Sequence, residues 1–335
     1  MHKEDQLVER IGRKVPSIVG RRAPGALRLG IGDDSAILSP SGRSDWVLSC
    51  DAFLEGVHFL AKAHPPDSVG YKSLVRAASD LVAMGASPRY FLMTLALPMS
   101  RIGTWLDGFL AGMARAARYL GMRLIGGDTT KSHSVSISIT VLGEVSRGRA
   151  LNRSGARPGD LIYVTGKLGR AELGLELVRR NLARRAGLQD VLQQHLYPRI
   201  PVKLGEWLAR NQLATAMMDI SDGLSTDLAR LCSASRVGAR IEADQLPCVA
   251  VPANLFRAAT RPKFSALQLA LHGGDDYGLV FTAPRQRTKR LQRAPDSSSL
   301  TCIGQITSGR KILLIGHGGS AKPVEARGWD PFSRK

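Results

Sequence analysis

The chain has 335 residues, 44% of them apolar and 22% charged, with 35 Gly and 17 Pro, a balance that excludes a disordered or fibrous protein. Cores stop growing near ~250–300 residues, so two packed domains are expected. No apolar run approaches the ~18 residues of a membrane span. The opening Met-His-Lys-Glu-Asp-Gln carries acids where a signal peptide has a basic start, so a soluble cytoplasmic protein is the expectation.

Lys and Arg outnumber Asp and Glu by 47 to 28, for a net charge of +19. The basic residues are spread along the chain, with modest clusters at 179–185 and 285–293 and no interleaved aromatic residues. A stacking platform for nucleic acid is therefore not expected, and the excess reads as solvated surface with some attraction for small anions. Cys50, Cys232, Cys248 and Cys302 lie far apart without a C-x-x-C pair, which argues against a zinc knuckle or a disulfide framework.

In chain order, Leu7, Ile11, Val15 and Ile18 predict a helix over 6–19. Gly30-Ile31-Gly32-Asp33-Asp34 breaks the chain before a strand at 36–38, and a strand at 46–50 ends at Asp51. Helices are predicted over 68–84 and 104–120, with a buried strand at 90–97 between them closed by Pro98. Arg123-Leu124-Ile125 leads into a glycine turn at Gly126-Gly127-Asp128, and β-branched residues alternate with Ser and Thr from Val135 to Leu142. The aperiodic stretch 146–160, rich in Gly and Arg, marks a boundary that divides the chain into domains 1–148 and 149–335. Beyond it come a strand at 161–165, a helix to Arg179, a strand at 216–219, a helix from Leu224 to Cys232 and a helix at 264–271. Strands through Phe281, at 302–306 and at 312–315 complete a mixed α/β (α+β) pattern.

One design recurs: an apolar approach, glycine, and one or two aspartates. It is seen at Gly32-Asp33-Asp34, Gly126-Gly127-Asp128, Asp219-Ile220-Ser221-Asp222-Gly223 and Gly273-Gly274-Asp275-Asp276, with Asp51 and Asp80 beside apolar segments. Any one of these could be turn or cap chemistry; Asp222-Gly223, for example, could cap the following helix. Their repetition points elsewhere, because a carboxylate beside a core must be paired or must meet a cation. Mg²⁺ takes hard oxygen ligands and reaches proteins through carboxylates and substrate phosphates, so converging Gly-Asp segments suit a nucleotide held through metal ions. The chain lacks a P-loop, a dinucleotide fingerprint, the protein-kinase motifs, a G-x-S-x-G elbow and H-E-x-x-H.

Further motifs make the pattern specific: Asp51-x-x-x-Glu55-Gly56-Val57-His58-Phe59, Ser79-Asp80-Leu81-Val82-Ala83-Met84-Gly85-Ala86, Arg153-Ser154-Gly155-Ala156-Arg157-Pro158-Gly159-Asp160 and Gly328-Trp329-Asp330-Pro331-Phe332. With the Asp segments, they resemble the thiamine-monophosphate kinase family nearly end to end. The resemblance implies a PurM-like two-domain fold whose first-domain sheet pairs across a homodimer into a barrel-like sheet. It also implies ATP-dependent phosphorylation of thiamine monophosphate, with several Mg²⁺ ions.

By position, the resemblance assigns Asp34, Ser49, Cys50, Asp51, Asp80, Asp128, Asp219 and Asp222 to metal, with Asp33 sharing the work. Gly127, Asp128, Arg153 and Ser221 are assigned to ATP, and His58, Asp275 and Trp329 to substrate. Two departures stand out: Asp275 replaces the family's usual Glu, and Cys50 its frequent Thr. A thiol is a poor magnesium ligand, so Cys50 is expected to contribute its carbonyl. The rival readings are a sister ATP-dependent enzyme of the aminoimidazole ribotide synthetase and selenophosphate synthetase superfamily, and a basic nucleic-acid-binding protein on an inactive scaffold.

Overall fold

The computed structural model describes residues 27–29, 33–39, 42–182, 187–252, 255 and 264–332. The helix predicted over 6–19 and Gly30-Ile31-Gly32 lie outside these residues.

The first sheet is built from β1 (Leu27–Leu29), β2 (Ala36–Leu38), β3 (Ser44–Leu54), β4 (Ser87–Leu97), β5 (Arg123–Lys131) and β6 (Ser136–Ser146), in the order β1-β2-β3-β6-β4-β5. Only the β4–β5 pair is parallel. The alternation that predicted β6 buries Ile137, Ile139 and Val141 on one face, together with Phe91, Met93 and Leu95 of β4 and Val47 and Phe53 of β3. Two helices cover that face, α1 (Pro66–Ala83) and α2 (Thr104–Leu120).

Pro66 occupies the first turn of α1, where its missing N–H costs nothing, and Gly85 turns the chain out with φ +71°. The two helices cross backbone to backbone. A Cβ on Gly70 would stand 1.9 Å from the Phe109 carbonyl oxygen, and one on Gly112 would stand 1.8 Å from that of Asp67. Truncating Leu74 or Leu81, both fully buried on α1, would cost about 2–5 kcal/mol.

Two sequence expectations are corrected in this sheet. β3 does not end at Asp51 but runs on to Leu54, because its ladder with β6 continues to the Leu54–Ser136 pair. Gly126-Gly127-Asp128 is not a turn but the middle of β5. Gly127 lies there because no side chain fits: its φ is +152°, and a Cβ would stand 1.9 Å from the Met93 carbonyl oxygen.

The second sheet contains β7 (Leu161–Thr165), β8 (Ala216–Ile220), β9 (Gly238–Glu242), β10 (Gly278–Ala283), β11 (Leu300–Thr307), β12 (Ile312–Ile315) and β13 (Ala321–Pro323). The order is β13-β12-β9-β11-β7-β10-β8, with β12–β9 its parallel pair. Around it lie α3 (Arg170–Arg179), α4 (Gln189–Leu196), α5 (Val202–Asn211), α6 (Leu224–Ser235), α7 (Ala266–His272) and the single turn α8 (Thr288–Leu291). β8 and β10 are buried on both faces, which is why they read as apolar runs interrupted at Asp219 and Thr282. On one face Met217, Leu279 and Phe281 join the core that holds α1; on the other, Met218, Ile220 and Val280 pack with Leu224, Leu228 and Leu231 of α6. The helix α1 is therefore a shared layer with the inner face of β3 on one side and β8 on the other. Among the described residues no helix is long and apolar enough to cross a membrane.

Candidate functional site

Side-chain periodicity alone brings the acids together. On β3, Ser49 and Asp51 share the inward face with Val47 and Phe53; on β8, Asp219 shares the α1-facing side with Met217. Asp80 projects from the intervening helix near its C-terminal end. Ser49 Oγ donates to Asp80 Oδ2 (2.5 Å) and Ser79 Oγ to Asp219 Oδ2 (2.7 Å), so α1 is stitched to both sheets through these carboxylates. Asp34, just before β2, completes a trio: one carboxylate oxygen each from Asp34, Asp80 and Asp219 lies within 4.8 Å of the others.

The trio is short of positive charge. Burial, then Asp51, pushes the Asp80 carboxyl well above its usual range; burial, then Asp34, pushes Asp219 up to about 7. Asp33, beside them, is raised to about 7 by burial and by Asp34. Asp34 Oδ2 is buried and has no hydrogen-bond partner among the described residues. Crowded carboxylates with an unused inward lone pair are what a hard divalent cation neutralises, so these residues fit Mg²⁺.

Three arginines border the acids. Arg153 bonds Asp34 Oδ1 through a guanidinium nitrogen (2.7 Å), and its backbone N–H donates to the Asp33 carboxylate (3.2 Å). Arg153 Nε is buried with no partner among the described residues, a donor suited to an anion. Arg76 on α1 bonds Asp51 (3.1 Å), and Arg230 on α6 bonds Asp222 (2.5 Å). The alternative that Asp222 merely caps the helix does not hold: Asp227 Oδ2, one turn into α6, accepts the N–H groups of Ser221, Asp222 and Gly223 at 3.0–3.1 Å. That leaves the Asp222 carboxylate to Arg230.

Not every assigned residue joins the trio. Asp128 sits exposed on the edge strand β5 beside Gly127, its carboxylate accepting from the Thr129 N–H (2.8 Å). The Cys50 thiol lies on the opposite face of β3 from Ser49 and Asp51, against the hydroxyls of Ser138 (3.5 Å) and Thr140 (3.4 Å) on β6. Only its backbone is left to face the acids.

The substrate-assigned residues lie next to the acids. His58 accepts from the Leu54 N–H (3.0 Å) through Nδ1 and stacks on Phe53; burial, then Arg76, lowers it to about 4, so the ring is neutral. The Asp275 N–H donates to the Ser221 carbonyl (2.7 Å), which ties the Gly273–Tyr277 segment to the loop after β8. The Trp329 N–H donates to the Asp222 carbonyl (2.8 Å), and a Cβ on Gly328 would stand 2.0 Å from that oxygen, so only glycine lets the tail dock.

Sequence reasoning missed Lys72, Arg76, Ser79, Asp227 and Arg230. A signal was present for the first three: positions 72, 76, 79 and 80 form one stripe of α1, an unusual run of polar groups on a helix otherwise buried.

The model of the AIR synthase related protein family matches residues 32–145 with its N-terminal domain and 157–316 with its C-terminal domain. Thiamine-monophosphate kinase of Escherichia coli (strain K12) is 37% identical over 311 residues, covering 92% of this chain and 93% of that protein. Among solved structures, "AaThiL complexed with AMPPCP and TMP" superposes with a TM-score of 0.82 at 30% identity, over 98% of this chain and 97% of that one. Thiamine-monophosphate kinase from Stenotrophomonas maltophilia K279a does so with a TM-score of 0.74 at 33% identity, over 95% and 96%. This chain therefore belongs to the thiamine-monophosphate kinase family, within the AIR synthase related proteins.

Proposed function

We propose that this chain transfers the γ-phosphoryl group of ATP to thiamine monophosphate, giving thiamine diphosphate and ADP. The observation that carries the reading is the trio of buried Asp34, half-buried Asp80 and buried Asp219, in which Asp34 Oδ2, like the Arg153 Nε beside it, has no hydrogen-bond partner among the described residues. The relatives' names agree with it. In the reaction a terminal oxygen of the substrate phosphate attacks the γ-phosphorus in line. The bond from that phosphorus to the β–γ bridging oxygen breaks, and ADP leaves with the electron pair. The attacking phosphate is already ionised near neutral pH, so no strong general base is required; positioning and charge neutralisation supply the rate.

Asp34, Asp51, Asp80, Asp219 and Asp222, with Asp33, Asp128, the Ser49 hydroxyl and the Cys50 carbonyl, are the residues we assign to Mg²⁺. Bound there, Mg²⁺ would screen the repulsion between the two polyanions and polarise the transferred group. Arg153 would clamp phosphate oxygens, with Gly127, Asp128 and Ser221 against the nucleotide. The neutral His58 ring, the Asp275 carboxylate and the Trp329 indole are assigned to the thiamine moiety, where an indole face suits a thiazolium cation.

The side of the first sheet turned away from α1 and α2 exposes Tyr90 and Leu92 on β4, and the neighbouring edge strand β5 exposes Leu124 and Ile125, which supports a homodimer closed by sheet pairing. The domain division after residue 148 and a cytoplasmic location belong to the same reading. Incubation with ATP, Mg²⁺ and thiamine monophosphate should yield thiamine diphosphate, and Arg153→Met should raise the KM for ATP. No product from the wild-type chain would reject the reading.

A further inference from the structure

Behind Asp275 runs a row of buried polar groups that the phosphoryl-transfer scheme leaves unused. Lys72, on α1 of the first domain, is 2% exposed, yet its Nζ lies 2.8 Å from Asp275 Oδ2 in the second domain. The His195 Nδ1 of α4 is 3.5 Å from the same ammonium, and His195 Nε2 is 2.9 Å from His64 Nε2. On the other side of the carboxylate, the Tyr277 hydroxyl donates to Asp275 Oδ1 (2.6 Å).

The ammonium sets the direction at His195. It can only donate, so His195 Nδ1 accepts and His195 Nε2 carries the proton toward His64 Nε2. His64 Nδ1 lies 3.1 Å from both the Leu60 N–H and the Leu60 carbonyl oxygen, which anchors that ring to the backbone. Both rings are neutral: burial, then Lys72, lowers His64 to about 4 and His195 well below the usual range. Among the described residues no other carboxylate bonds Lys72, so its charge is directed at Asp275.

Asp275 is held by a donor on each oxygen, yet 33% of its side chain remains open to solvent. Its backbone is strained to match, with φ +66° at Asp275 and +49° at Tyr277. A buried ammonium is a costly way to fill a helix position, since an apolar side chain of similar volume would often be at least as stable. What the charge supplies here is the fixed orientation of one half-exposed carboxylate across the domain boundary.

We infer that Lys72 is a positioning residue for substrate: it holds the Asp275 carboxylate in the orientation that receives thiamine monophosphate, without touching the substrate itself. This rests on the kinase reading above. The experiment is steady-state kinetics on the full chain for the wild type, Lys72→Met, Asp275→Asn and the double variant, each with both substrates varied. Lys72→Met is expected to raise the KM for thiamine monophosphate by about tenfold or more, with the KM for ATP moved by less than about twofold. The double variant is expected to be no worse than the more impaired single variant, because both changes disable one device.

A Lys72→Met variant that loses thermal stability while both KM values stay put would overturn the inference, as would an equal rise in both. Should Lys72→Met not fold, Lys72→Gln keeps a donor for Asp275 without the charge. It is expected to raise the same KM by a smaller factor, and an unmoved value again overturns the inference. A wild-type chain that does not turn over thiamine monophosphate defeats the kinase reading and this inference with it. An active wild type with unmoved constants in the variants defeats the inference alone.

Discussion

A trio of aspartates and a single aspartate gather at the same helix and have opposite electrostatics. Asp34, Asp80 and Asp219 crowd together with serine donors and one arginine, and burial, then the neighbouring carboxylates, pushes the Asp80 and Asp219 carboxyls up. At Asp275 burial acts in the same direction, but Lys72, then Arg76, overcome it and hold that carboxyl below its usual range. Identical side chains thus serve different ends. An under-neutralised cluster has an appetite for a cation, whereas an over-neutralised carboxylate is a fixed hydrogen-bond acceptor.

The strongest way to break this contrast is to remove one charge from the crowded group. Asp219→Asn keeps an oxygen to accept from Ser79 and relieves like-charge repulsion, so its melting temperature should not fall. Its formation of thiamine diphosphate should drop by about 10³-fold, and its Mg²⁺-induced gain in melting temperature should vanish. Activity near wild type would show that the trio is a structural cluster and not a cation site.

The second region can be broken with pH. The imidazole of His64, buried beside Lys72, is neutral in the fold with its value lowered from 6.5 to about 4. Over that window the unfolded chain binds more protons than the folded one, so stability is present above pH 6.5 and is lost as pH falls toward 4. The loss amounts to at most about 3 kcal/mol for this group. His64→Gln should flatten that part of the curve when unfolding is followed by denaturant titration between pH 7 and pH 4. His58, lowered as well, does not touch His64 and cancels in the difference, whereas His195, bonded to His64, belongs to the part of the curve that flattens. Identical curves would mean that the row behind Asp275 holds no forced-neutral histidine at position 64.

The two groups also differ in how far the sequence revealed them. The acids were legible because Asp is rare beside apolar segments, and Asp34, Asp80 and Asp219 each stand beside one, a strand for the first and last and a helix for Asp80. The cations that separate the two groups left only the polar stripe at positions 72, 76, 79 and 80 of α1. Lys72 and Arg76 sit on a helix whose apolar spacing was plain, where a basic residue ordinarily marks the solvated face. Only the second domain, stacking β8 onto that face, buries it. The same limit governed the strands. The helix over 104–120 was readable to the residue from its periodicity. β5 was read as a turn because Gly126-Gly127 signals one locally, and it is β4, paired alongside, that makes the segment extended.

The smallest predicted effect tests the contrast at a single strand. Ser49 and Cys50 are neighbours on β3, but one hydroxyl bonds Asp80 while the other side chain faces Ser138 and Thr140 across the sheet. Ser49→Ala removes a donor that helps Asp80 carry charge, and it should raise the Mg²⁺ concentration for half-maximal activity by about tenfold. Cys50→Ala leaves the carbonyl in place and alters only the far face, so the same measurement should shift by less than about threefold. A larger effect at Cys50 than at Ser49 would mean that the functional face of β3 is the one turned away from α1. The trio would then be the structural group, and the search for the cation site would move to the exposed side, where Asp128 already stands.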